Sequence, residues 1–251
     1  MTTLQRSRSM HKLTSRVLFE DNHLIIINKL PGELVQGDKT GDATLADTVQ
    51  DYLRVTYKKP GNIYLGIPHR IDRPTSGVVV YAKTEKALSR MNVLFRSNEA
   101  VKKTYWAVVD RLPDCDEGLV THYLTRDTVK NKSVATVHER KRSQEARMTF
   151  RVLGASKSFY LLEIGLLTGR HHQIRAQLAA MGSHIKGDLK YGASRSNENG
   201  GVHLHARGIS FVHPVRKQLL TVIAPPPKDV IWDYFSSVAA NPDEPTWSFN
   251  E

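Results

Sequence analysis

The sequence predicts a mixed fold of the α/β or α+β class, and three observations point there. Apolar runs of strand length alternate with segments whose apolar residues recur at helical spacing. The composition, 40% hydrophobic and 24% charged with 16 Gly and 11 Pro, is that of a globular chain and excludes disordered, collagenous and coiled-coil classes. At roughly 150 residues per domain, the 251 residues make one to two domains and allow a full hydrophobic core.

Residues 1–16 carry Arg6, Arg8, Lys12 and Arg16, with no acid and no apolar core of the signal-peptide kind. They are expected to form a flexible basic arm ahead of one domain at 17–240, followed by a tail at 241–251. A mitochondrial transit peptide shares the acid-free, Arg- and Ser-rich composition, but this segment is short and poorly amphipathic.

The apolar runs 17–19 and 24–27 flank Glu20-Asp21-Asn22-His23, polar turn chemistry that predicts a hairpin. Thr44 caps a helix with Leu45, Val49, Tyr52 and Leu53 on one face, stopping before Lys59-Pro60-Gly61. Residues 63–67 and 77–82 read as core strands on either side of a polar loop, 69–76. Thr84 caps a second helix through Leu88, Met91, Leu94 and Phe95, and 104–109 is β-rich.

Between 126 and 147, seven Lys and Arg face only Asp127, Glu139 and Glu145. A charge run is usually a solvated face, but this one spans a hairpin and can line a phosphate track. The strand-like run 159–167 leads through Thr168-Gly169-Arg170 into a helix with Ile174 and Leu178 on one face and Gly182 as its stop. Loosely alternating strands at 204–223, Pro225-Pro226-Pro227 and a helix at 230–238 follow. No repeat of fixed period is present.

Lys and Arg (36) exceed Asp and Glu (25) by 11, and the sequence pI is about 9.7. Long-range attraction and counterion release then favour a polyanionic partner, nucleic acid first. No window approaches the ~18 consecutive apolar residues of a membrane span. The single cysteine, Cys115, can form neither an intramolecular disulfide nor a cysteine-based zinc site, so a reducing compartment is the default.

Three places carry chemistry. Asp72 lies in His69-Arg70-Ile71-Asp72-Arg73-Pro74-Thr75-Ser76-Gly77, a polar loop held between core strands that can present one carboxylate to a cleft. Arg70 and Arg73 put positive charge beside it and can meet phosphate. The bland alternative is a turn cap or a surface ion pair. Arg175 falls one turn beyond His171 in Leu167-Thr168-Gly169-Arg170-His171-His172-Gln173-Ile174-Arg175, where a strand end entering a helix gathers cationic and amide donors. Neighbouring histidines on a helix point about 100° apart, so His171 and His172 make a poor metal pair; His203 and His205, alternating on a strand, are the other candidates. Tyr105, beside Lys102 and Lys103, can stack on a base or simply pack in the core.

In order and wording these segments resemble the pseudouridine synthases that modify large-subunit ribosomal RNA and some transfer RNAs. Residues 69–77 look like that family's His-Arg-Leu-Asp-x-x-Thr-Ser-Gly motif, with Ile71 for Leu, a volume-conserving change. Val17 through Asp21 to Asn28-Lys29, Lys103-Thr104-Tyr105, residues 168–175, and His205-Ala206 with Phe211, His213 and Pro214 follow the family order, so the likeness spans about 17–225. There are three departures. Leu30 separates Asn28-Lys29 from Pro31-Gly32, His171 stands where Thr is common, and the start is too short for the small S4-type RNA-binding domain that many members carry.

The resemblance implies an α+β (mixed α/β) fold around a long, bent, mainly antiparallel sheet with flanking helices and a central cleft. It implies isomerisation of uridine in ribosomal or transfer RNA without a cofactor or metal. Asp72 becomes the catalytic carboxylate, acting as nucleophile at C1′ or as base at C2′. Arg175 becomes its ion-pair partner, and Tyr105 the ring stacked on the flipped uracil. Arg70, Arg73, Lys102, Lys103, Arg170, His172 and Gln173 become RNA contacts, with Arg70 filling the space of the flipped nucleotide or holding its backbone. A cytoplasmic monomer, acting on RNA and not on membrane, is expected. Two alternatives compete: a non-catalytic RNA-binding or ribosome-assembly protein, and a metal-dependent hydrolase built on His171, His172, His203 and His205.

Overall fold

Two antiparallel runs of strands meet along a seam only two residue pairs wide, and that seam positions the site. The computed structural model describes residues 13–37, 41–97 and 99–239. In chain order the elements are β1 (Val17–Glu20), β2 (Leu24–Lys29), α1 (Leu45–Thr56), β3 (Ser76–Ala82), α2 (Glu85–Arg96), β4 (Val101–Val109), β5 (Glu117–Asp127) and β6 (Lys132–Thr136). They continue with β7 (Gln144–Ala155), β8 (Tyr160–Leu166), α3 (Gln173–Ala180), a 3₁₀ turn (Leu189–Tyr191), β9 (Leu204–Val212), β10 (Leu219–Ile223) and α4 (Val230–Val238).

The ten strands form one sheet in the order β1-β2-β3-β9-β4-β8-β7-β5-β6, with β10 also on β9. Among the described residues the parallel pairing is that of β3 with β9, Ser76 opposite His205 and Gly77 opposite Ala206; the other strand pairs are antiparallel. The mainly antiparallel α+β sheet that the family resemblance implies is the one observed.

Both faces of β2 and β3 are covered, which explains their unbroken apolar runs. Ile25, Ile27, Val79 and Tyr81 pack with Leu45, Val49 and Leu53 of α1. Leu24, Ile26, Val78 and Val80 pack with Ala87 and Met91 of α2. Each such side chain contributes roughly 1.5–3 kcal/mol on burial. The helix starts are fixed as the sequence predicts: Thr44 accepts from Asp47 N in a reciprocal capping box, and Thr84 accepts from Ala87 N. On β4 and β8, Val109, Leu162 and Ile164 meet Ile174 and Leu178 of α3. Trp106, Val108 and Leu161 meet Trp232 and Phe235 of α4.

Gly77 makes the seam possible. Its φ is +111°, and a Cβ there would lie 2.3 Å from Ala206 O. Gly77→Ala is therefore expected to cost more than about 3 kcal/mol, combining a left-handed backbone with a backbone clash that cannot relax. Urea unfolding measures it, and a loss below about 1 kcal/mol would show that the seam yields.

Two expectations are corrected. Residues 63–67 are not a strand: only Gly66 bridges Ala82, because the next donor on that edge, Val80 N, is taken by His69 Nε2 at 2.9 Å. Residues 13–16 are not part of a loose arm, since Leu13 is buried in the core and Arg16 makes a two-pronged ion pair with Glu33. Residues 1–12, with Arg6, Arg8 and Lys12, and the tail at 241–251 lie outside the described residues.

His205 is fully buried and His203 nearly so. His205 sits between Ser76 Oγ and Ala224 O, and burial pushes both imidazoles down to about 4. The unfolded chain, with imidazoles near 6.5, binds more protons than the folded one between pH 6.5 and 4. Stability is thus present above pH 6.5 and falls as pH drops, by up to about 1.4 kcal/mol per histidine per pH unit. Urea titrations followed by tryptophan fluorescence should show midpoints that decline from pH 7 to pH 5; pH-independent midpoints would contradict this.

Candidate active site

The loop carrying Asp72 leaves the core just before the seam and is pinned from several sides. Buried Lys29 donates all three of its ammonium hydrogens to backbone, to Leu30 O, Arg73 O and Thr75 O at 2.9, 2.9 and 2.6 Å. Burial pushes its pKa down to about 7. Gly32 N donates to Arg73 O and Val202 N to Pro74 O. Ile71, next to the carboxylate, is sunk in the core. His69 stacks on Phe95 at 4.4 Å, and burial holds its imidazole down at about 3, a neutral ring suited to accept from Val80.

Across the cleft, α3 delivers Arg175. A helix arginine is ordinarily a surface residue, but this one is 4% exposed. Nη1 donates to Asp72 Oδ2 at 3.1 Å, while Nε and Nη2 donate to Asp188 Oδ2 and Oδ1 at 2.6 and 2.8 Å. The guanidinium also lies 4.9 Å from the ring centroid of Tyr191. Burial alone would lower the Arg175 pKa, but Asp188 and Asp72 hold it above its ordinary value, so the group is a fixed cation joining two carboxylates.

Asp72, Tyr105, Arg175, Arg70, Lys103, Arg170, His172 and Gln173 line one pocket of about 300 Å³. Tyr105 reaches it from β4, where the pairing with β9 slips between Thr104 and Tyr105; such bulges commonly re-aim a side chain. Burial first, then the Asp72 charge, raises the Tyr105 phenol well above its usual range. Lys103 is half-buried there, and burial lowers its pKa.

The other expected contacts are placed differently. Arg73 turns away from the pocket, pairing with Asp42 at 2.9 Å and donating to Gly32 O, because its backbone is tied to the 30–33 segment. Lys102 is exposed and lines a neighbouring groove with Arg147 and Arg151. Gln173 is buried with its amide spent inside the protein. Its oxygen accepts from Thr168 Oγ1 and Arg170 N, and its nitrogen donates to Arg147 O, so it organises the strand-to-helix junction. Arg170 keeps its rim position while Nε donates to Glu145 O.

The four histidines of the hydrolase alternative fall in two places. His171 and His172 stack at the pocket, whereas His203 and His205 pack on Trp232. Among the described residues no three His, Cys, Asp or Glu side chains come together as a metal site.

Sequence reasoning missed Asp188 and Tyr191. One signal was present: an arginine buried beside one carboxylate needs further partners for its five donors, and Gly187-Asp188-Leu189-Lys190-Tyr191-Gly192 is a tight turn offering an acid.

An α+β sheet split at a parallel seam, with a carboxylate and a buried guanidinium facing across the split, defines a protein built to act on a ligand held in that cleft. The comparisons make the class specific. The family model for RNA pseudouridylate synthase matches residues 23–180. The chain is 35% identical over 214 residues to an uncharacterised RNA pseudouridine synthase of Synechocystis, covering 84% of this chain and 65% of that one. It is 30% identical to ribosomal large subunit pseudouridine synthase D of Zymomonas mobilis, covering 85% and 70%, and 33% identical to ribosomal large subunit pseudouridine synthase C of Vibrio cholerae, covering 83% and 65%. This chain thus spans about two thirds of the length of these relatives. The fold matches human RNA pseudouridylate synthase domain-containing protein 4 with a TM-score of 0.74 at 24% identity, over 95% of this chain and 98% of that one. The chain belongs to the RNA pseudouridylate synthase family.

Proposed function

We propose that this protein converts uridine to pseudouridine in ribosomal or transfer RNA, using Asp72 as the catalytic carboxylate and no cofactor. The observation that carries the reading is the Asp72–Arg175 pair in a pocket whose wall includes Tyr105. In the reaction the C1′–N1 bond breaks, the uracil turns, C1′ bonds to C5, the C5 proton leaves and N1 gains a proton, so the overall change is an isomerisation.

Asp72 acts at the sugar, either attacking C1′ or removing the C2′ proton. Arg175 fixes one carboxylate oxygen, which leaves the other for chemistry. The Tyr105 phenol is neutral near pH 7, which supports stacking on the flipped base rather than proton abstraction by a phenolate. Arg70 and Arg170 at the rim, Lys103 within, and the net charge of +11 supply phosphate attraction. No helix of the described residues is long and apolar enough to cross a membrane, and the proposed site of action is the cytoplasm, as a monomer.

Mapping pseudouridine in total RNA from cells with and without the protein tests the reading. Loss of signal at one or a few uridines, restored by the purified protein with tritium release from C5-labelled RNA, is expected. Unchanged maps together with no tritium release would overturn it. For Tyr105, Phe should retain activity within a few fold, while Leu should lose about 10- to 100-fold, the scale of base–aromatic stacking. Equal rates in the two variants would dismiss the stacking role.

A further inference from the structure

His172 heads α3 in a left-handed conformation, φ +52°, that a non-glycine residue adopts at a cost. What it receives in return is a fixed ring. The imidazole stacks on His171 at 3.8 Å, meets Tyr191 edge-on, and places Nδ1 3.0 Å from the Tyr191 hydroxyl. That hydroxyl accepts from Ser133 N at 2.8 Å, and its own hydrogen needs an acceptor; His172 Nδ1 is in reach. Burial, with Arg175, His171, Lys190 and Arg126 adding positive charge nearby, pushes the imidazole down to about 2. The ring is therefore neutral, with Nδ1 accepting and its single hydrogen on Nε2.

Nε2 faces Asp72 Oδ2 at 3.7 Å. That is beyond a direct hydrogen bond, so a pure donor and a pure acceptor stand side by side with neither satisfying the other. A single atom in hydrogen-bond contact with both would accept from Nε2–H and donate to the carboxylate, with the two bonds meeting at close to a right angle. A hydroxyl or a water molecule does this, and of the two only a hydroxyl can belong to the substrate. Within an RNA strand the 3′ and 5′ oxygens are esterified, so the ribose 2′-hydroxyl is the one free hydroxyl on the nucleotide. It also sits on C2′, the carbon beside C1′, so either route for Asp72 brings it to this corner of the pocket.

We propose that His172 Nε2–H and the Asp72 carboxylate together clasp the 2′-hydroxyl of the target uridine, making His172 the residue that selects ribose over deoxyribose at the reacting position. The inference rests on the reading that Asp72 acts at the sugar of a uridine. Tyr191 and the Ser133 backbone are positioning groups that set the imidazole tautomer.

The test uses the full chain and synthetic oligoribonucleotides spanning the uridine found by mapping, with uridine or 2′-deoxyuridine at that one position. Wild type should favour uridine in kcat/KM by about 10²-fold, the scale of leaving buried hydrogen-bonding groups unpaired. His172→Phe keeps the aromatic stack and removes the donor, so it should lose activity on uridine but little on 2′-deoxyuridine, reducing the preference to a few fold. His172→Gln, with an amide N–H near the position of Nε2, should recover part of it. Comparing preferences between variants cancels any intrinsic effect of the missing hydroxyl on reactivity. An undiminished preference in a folded His172→Phe, or equal losses on both substrates, would overturn the assignment while leaving the uridine isomerase reading intact. A wild type inactive on the uridine oligonucleotide would overturn both.

Discussion

Asp72→Asn is expected to lower the rate of uridine isomerisation by at least about 10³-fold while RNA affinity stays within a few fold. The size follows from what is removed: an amide can neither form the sugar ester nor accept the C2′ proton, and a positioned acid–base group alone is worth 10²- to 10⁴-fold. Arg175 makes this a clean substitution. Two of its donors remain on Asp188, so the guanidinium stays in place and Asn keeps an oxygen in reach of Nη1. The melting temperature should move by no more than a few degrees. Single-turnover tritium release and filter-binding titration on the same RNA separate the two effects. Comparable turnover in Asp72→Asn would remove the carboxylate from the mechanism; equal losses in rate and affinity would make Asp72 a binding group.

Residues 69–77 were legible in the sequence because a polar loop between apolar runs has few places to go. The carboxylate did fall at the cleft, beside the seam where Gly77 is required. The helices were legible for a similar reason: Thr44 and Thr84 announce their starts, and α1 and α2 carry their apolar residues on one face. α3 was harder to judge, since every residue from Gln173 to Leu178 is buried and its spacing alone allowed a surface arginine. The long strands β5 and β7 escaped because their outward positions hold Arg147, Arg151, Glu117 and Glu145, which read as solvated charge until the partner strand is known.

The placements of Arg73 and Gln173 depend on local geometry that spacing does not encode. Arg73 points out of a turn towards Asp42, and Gln173 points back under the helix start. Asp188 was invisible for a different reason. Its carboxylate meets the site through Arg175, and a partner 13 positions away leaves no periodic trace.

That indirect contact predicts the second large effect. Asp188 is 1% exposed, and it takes two of the guanidinium donors, leaving Nη1 for Asp72. In Asp188→Asn, Asp72 becomes the one carboxylate on Arg175, and the guanidinium is free to rotate into a two-pronged grip on it. Both Asp72 oxygens would then be occupied and displaced from the sugar, and a misplacement of about 1 Å costs on the order of 10²-fold in rate. We expect kcat to fall by that factor with KM little changed, and stability to fall by about 3–5 kcal/mol, as when one partner of a buried ion pair is removed. Arg175→Met should lose similar stability, because it strands the Asp188 charge in the interior. The double variant Asp188→Asn/Arg175→Met should be more stable than the sum of the two losses predicts, by an interaction term of about 1–3 kcal/mol. Urea unfolding of the four proteins closes this cycle. Simple additivity would contradict the bidentate pair, and a normal kcat in Asp188→Asn would confine the residue to holding the fold.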